Sequence, residues 1–115
     1  MKTMHQATRA YESASVQRSQ RAQEADVFYR ATGALRTARE GTPIARVRAL
    51  ADNRRLWTSV ADLMRDPLST LPAPLRAQII SVGLAGQREM DNQEPNFGFL
   101  ISINENIAAG LTDGR

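Results

Sequence analysis

The chain has 115 residues, 42% hydrophobic and 23% charged, with a net charge of +3 and no cysteine. One domain of this length buries roughly two thirds of its unfolded surface, enough for a modest core without staples. The missing cysteines exclude a disulfide framework and a thiolate metal site, and no apolar run approaches the roughly 18 residues of a membrane span.

Met4, Ala7, Tyr11 and Ala14 follow the i, i+3, i+7 spacing of one helix face, and Ala25, Phe28, Ala31 (or Thr32), Leu35 and Ala38 do the same. The two sets share a heptad register, but Arg18 and Arg21 occupy the positions between them. Either one long helix has a polar middle or the chain breaks near residues 13–20. The break is the expectation, with a short first helix that needs tertiary contacts to persist.

Gly41-Thr42-Pro43 is a stop-and-start signal: a glycine for the left-handed residue after a helix, a threonine N-cap and a proline at the first helical position. A helix then runs from Pro43 to about Arg65, where Asp66-Pro67 ends it. Its apolar face rotates, from Ile44, Val47, Leu50 and Ala51 to Leu56, Trp57, Val60, Leu63 and Met64. That drift predicts successive contacts with two neighbours. Asn53 projects between Leu56, Trp57 and Val60, so its amide is expected buried and hydrogen-bonded, as part of a polar clamp with Arg54. An unpaired buried amide would cost about 1–3 kcal/mol.

After a tight connection, the next helix is expected from about Ala73 to Met90. One stripe on it comprises Leu75, Ile79, Val82, Gly86 and Met90; a second, on the other side, comprises Ala77, Ile80 and Leu84. A helix apolar on two sides is either central or half exposed to a partner, and the central position is favoured in so small a domain. Gly83 and Gly86 each cost about 1 kcal/mol of helix propensity and would admit a closely approaching neighbour. Residues 91–97 form a polar loop. A last helix carries Leu100, Ile103, Ile107 and Leu111 on one face, with Asn104 beside them. The fold class is thus all-α, a bundle of four to five helices in a single domain over residues 1–115, with residues 1–18 frayed or mobile.

Little in the chain supports catalysis or a cofactor. The one histidine, His5, lies near the N-terminus. No Cys/His cluster has ligand spacing, no glycine-rich phosphate loop occurs, and the serines have no neighbouring base. An enzyme is not expected. Residues 1–10 hold no apolar run that would read as a secretory signal, so the expected location is the cytoplasm.

Charge is uneven. Residues 1–55 carry eleven basic and five acidic side chains, a net of +6, whereas residues 56–115 carry four and seven, a net of −3. Fourteen of the fifteen basic residues are arginine, which suits contact surfaces. A basic half could attract RNA, but solvated helix faces are the simpler reading, because acids are interspersed and no aromatics are interleaved to stack bases.

Several pieces, taken in order, resemble the FlaF family of flagellum-biosynthesis proteins. They are Arg21-x-x-Glu24-x-x-x-Phe28, Ala34-Leu35, Asn53-Arg54-Arg55-Leu56-Trp57, Leu71-Pro72-x-x-Leu75-Arg76-Ala77-x-Ile79-Ile80-Ser81, and Leu100-Ile101-x-Ile103-Asn104-x-x-Ile107-x-x-Gly110-Leu111. The chain departs from the family in lacking a proline around residues 15–19, in its Pro95-Asn96-Phe97 linker, and in the small Ala85-Gly86 pair. The resemblance implies a non-enzymatic chaperone or adaptor that binds flagellin, through one of its helix-forming terminal segments, and promotes its synthesis and secretion beside a companion regulator of flagellin translation. The alternative is a translational regulator that binds mRNA or a partner regulator through the arginine-rich half. Under the adaptor reading, Leu56, Trp57, Val60, Ile80 and Leu84 are expected to line a groove, with Arg54 and Arg76 on its rim. A lone tryptophan at helical spacing is nevertheless more often core than binding face, and the core is the first expectation for Trp57.

Overall fold

The computed structural model describes residues 4–112, which form four helices: α1 (Met4–Arg39), α2 (Pro43–Arg65), α3 (Ala73–Met90) and α4 (Phe97–Thr112). No strand occurs among the described residues, in keeping with the all-α expectation. The helices run up and down. Phe28 of α1 meets Trp57 of α2, Gly83 of α3 faces Trp57, and Gly86 faces Ile103 of α4. Around the ring, α1 packs on α2 and α4, and α3 packs on the same two from the other side.

The expected break near residues 13–20 does not occur: α1 is continuous from Met4 to Arg39. The reason is local. Up to Gly33 the helix contains neither proline nor glycine, and its alanines, arginines, glutamines and glutamates all favour helix. At 1.5 Å per residue, α1 spans roughly 54 Å, most of the molecule's 61 Å long axis. Its second half enters the bundle. Ala25, Phe28, Thr32, Leu35 and Ala38 are buried, whereas Ala7, Arg9, Tyr11 and Glu12 are exposed. The Thr32 hydroxyl is satisfied by donating to the Phe28 carbonyl at 2.6 Å.

The turn into α2 uses its expected parts with one difference. Gly41 donates its N–H to the Ala38 carbonyl at 2.9 Å but does not adopt the left-handed backbone. The Thr42 hydroxyl caps α2 by accepting from the Ala45 N–H at 3.1 Å. At the start of α4, Asn96 plays the same role toward the Phe99 N–H at 3.0 Å, and the Glu89 carboxylate accepts from the Asn96 N–H at 3.2 Å. That carboxylate also accepts from Asn92 at 2.7 Å, which fixes the loop between α3 and α4.

The core centres on Trp57, which is 2% exposed. Phe28 meets it edge-on, with ring centroids 5.5 Å apart and planes at 79°. Gly83 lies against its other side, where a Cβ would come within 2.8 Å of the indole. The most buried element is α4, in which Phe97, Leu100, Ile101, Ile103, Ala108 and Leu111 all face inward. The expected central position of α3 is not observed. It borders α2 and α4 but not α1, and its second stripe turns outward, with Ala77 exposed and Leu84 51% exposed. The glycines on its inner side let it sit close to Trp57 and Ile103 without reaching the middle of the ring.

Candidate functional site

Two kinds of surface meet along α2, α3 and α4: a closed polar junction and an open apolar groove. The junction follows from the helix registers, which place Asn53 and Trp57 of α2, Asn104 of α4 and Met90 of α3 on inward faces. The Trp57 indole N–H donates to Asn104 Oδ1 at 2.9 Å, and Asn104 Nδ2 donates to Asn53 Oδ1 at 2.7 Å. Asn53 Nδ2 then donates to the Met90 sulfur at 3.3 Å. Both asparagines are fully buried, so each bond offsets a desolvation cost and fixes the register of three helices at once. Beside it, Arg54 Nη2 donates to the Met90 carbonyl at 2.5 Å and lies 3.7 Å from the Asp91 carboxylate. This arrangement ties α2 to the end of α3, the structural clamp expected of Asn53 and Arg54.

The groove lies between α3 and α4, toward the start of α3 and the end of α4. Leu75, Ile79 and Val82 form one wall and Ile103, Ile107 and Leu111 the other, around a cavity of ≈ 300 Å³. Gln78, Asn106 and Gly110 complete the lining, which contains no charged side chain. Near Gly86 the two helices approach closely, since a Cβ there would come within 2.8 Å of Ile103. Away from that contact the space between them is left to solvent, with Leu75, Val82 and Ile107 only partly buried.

The seven residues expected to form a partner groove do not share one surface. Leu56, Trp57 and Val60 are buried in the core, because the second half of the rotating α2 face points to the ring's centre. Leu56 also borders a hollow between α1 and α2 with Val27, Ala31 and Ala34. Arg54 clamps α3. On α3, Arg76 and Ile80 are partly buried and Leu84 is exposed, on the side away from α4. The stripe expected in the core does reach it, through the buried Ile79 with Leu75 and Val82 packed beside it, and the half-buried edge of that same stripe also lines the groove. A helical wheel separates the two stripes but does not show which edge of the inner one α4 leaves uncovered. The available signal was the pairing of that stripe with the unusually apolar last helix.

A second feature departs from the expected pair of contacts along α2. Ile44 and Val47 are 65% and 67% exposed, so the outer edge of the first half of the rotating α2 face is open, while Leu50 of the same half packs against the core. Among the described residues no group of His, Cys, Asp and Glu is placed to hold a metal ion, and no helix is long and apolar enough to cross a membrane.

Compared with known proteins, residues 7–111 match the family model described as "Flagellar protein FlaF". No curated protein and no solved structure matches the chain.

Proposed function

The chain belongs to the FlaF family of flagellar proteins, a non-catalytic family with a role in flagellum biogenesis, and on that premise we propose that it is a flagellin-binding chaperone or adaptor. In this reading it works in the cytoplasm and holds a helix-forming terminal segment of flagellin before export, promoting flagellin synthesis and secretion. The observation that carries the proposal is the uncharged apolar groove between α3 and α4. An amphipathic helix laid into it would bury Leu75, Val82 and Ile107 together with its own apolar face, the helix-in-groove mode of recognition. With no charge in the lining, binding should persist at high salt. Calorimetric titration with soluble flagellin tests this: saturable binding that survives added salt supports the adaptor, and no binding at either salt level contradicts it.

The exposed arginines of α1 and α2 favour a second reading, a regulator of flagellin translation. Arg30, Arg36, Arg39, Arg48 and Arg55 all reach solvent, and a companion regulator or the flagellin mRNA would be the partner. Binding to RNA would weaken steeply as salt rises, so a parallel titration with flagellin mRNA at low and high salt separates the two readings.

A further inference from the structure

We infer that the outward face of the first turns of α2 is a second docking surface, distinct from the α3–α4 groove, for an amphipathic helix with acidic residues along one flank. Ile44, Val47 and Ala51 recur at i, i+3 and i+7 on the side of α2 opposite the buried Ala49, Asn53 and Val60. Val47 also forms one wall of a shallow hollow of ≈ 480 Å³ in which Leu50 and Pro95 stand beside the charged Arg46 and Glu94. The stripe therefore offers an apolar seam with a recess beside it for an anchoring side chain. Its floor is firm: the Arg46 guanidinium stacks over the Phe97 ring at 5.2 Å, and Glu89 holds the loop at Asn96.

Charge names the occupant. Arg48 and Arg55, seven residues apart, run along one edge of the seam, and both are exposed. Arg55 is met only by Asp52 of its own helix, at 2.7 Å, and Arg48 pairs with no described residue. A helix bearing acidic residues on that side would answer both. A second copy of this chain would not. Antiparallel pairing of α2 with itself brings the arginine edge of each copy beside that of the other, where like charges would meet along the seam. Ile44 and Val47 also argue against a nucleic acid, which gains nothing from β-branched aliphatic side chains.

This surface lies at the α1–α2 turn end of the bundle, and the groove lies toward the other end. One molecule would thus hold two helical partners at once, one by apolar contact and one with electrostatic help. The test uses the full chain and two synthetic helices, both with a leucine face, one flanked by glutamate and the other by lysine. Backbone amide shifts are followed during titration. The glutamate-flanked helix should shift residues 44–55 and bind less well as salt rises. Ile44→Ser with Val47→Ser, both at exposed positions, should weaken it about tenfold or more. Arg48→Glu with Arg55→Glu should reverse the preference to the lysine-flanked helix. Equal affinity for the two helices, shifts confined to the groove, or no binding would overturn the proposal. So would a single-stranded RNA that binds residues 44–55 regardless of Ile44 and Val47, or a concentration-dependent dimer abolished by the serine variant.

Discussion

The junction around Trp57 and the groove between α3 and α4 are both helix–helix contacts built from apolar residues, yet one is closed and the other open. At the junction, a large ring fills the space between α1, α2 and α3, a glycine lets α3 approach it, and two asparagines tie it to α4. In the groove, aliphatic side chains face each other across ≈ 300 Å³ with no ring or hydrogen bond to bridge them. The difference shows that apolarity alone does not place a residue in the core. Closure needs a side chain of the right volume and partners for every polar atom it buries.

The comparison breaks first at Trp57. Trp57→Ala removes the closing ring and should cost about 3–5 kcal/mol, read as a large fall in melting temperature; an unchanged melt would mean that the junction is not what closes the bundle. Next, Asn53→Leu leaves Asn104 Nδ2 without its acceptor and should cost about 1–3 kcal/mol in denaturant unfolding. Combined with Asn104→Ala, the two effects should add to less than their sum, because the bond between them is lost only once.

Glycine substitutions sharpen the contrast at smaller scale. Gly83→Ala drives a Cβ to 2.8 Å from the enclosed Trp57 ring, and the overpacking, about 1–3 kcal/mol, should outweigh the helix-propensity gain of about 1 kcal/mol. Gly33→Ala, with nothing within 4 Å of its new methyl, should instead stabilise by up to about 1 kcal/mol. Thermal unfolding of the two variants should move in opposite directions, and a shift in the same direction would undo the packing account of α3.

Much of the fold was legible in the sequence. The Gly41-Thr42-Pro43 punctuation, the bounds of α2 and α3, the buried heptad of the second half of α1 and the satisfied amide of Asn53 were all expected, because each rests on local chemistry: a cap, a breaker or a period. The continuity of α1 was not, since a polar middle reads as a gap when the helix is expected to pack along its whole length. The location of the open surface was the least legible. Ile79 is core and Leu84 exposed, as their stripes suggest, but nothing in the pattern shows that Leu75 and Val82 keep one side open. How much of that stripe stays open depends on how closely α4 approaches α3, which is set near Gly86 by its contact with Ile103. Ile44 and Val47 left a fainter trace, the rotation of the α2 face, whose first half packs on the core at Leu50 but stays open at these two residues.

The most direct test is a calorimetric titration of flagellin, at low and high salt, into the wild-type chain and an Ile107→Asp variant. Ile107 is partly buried on the groove wall, so the variant should keep its helicity by circular dichroism. The account predicts saturable, salt-tolerant binding to the wild type and none to the variant. Equal binding to both, or binding that falls steeply with salt, would contradict it.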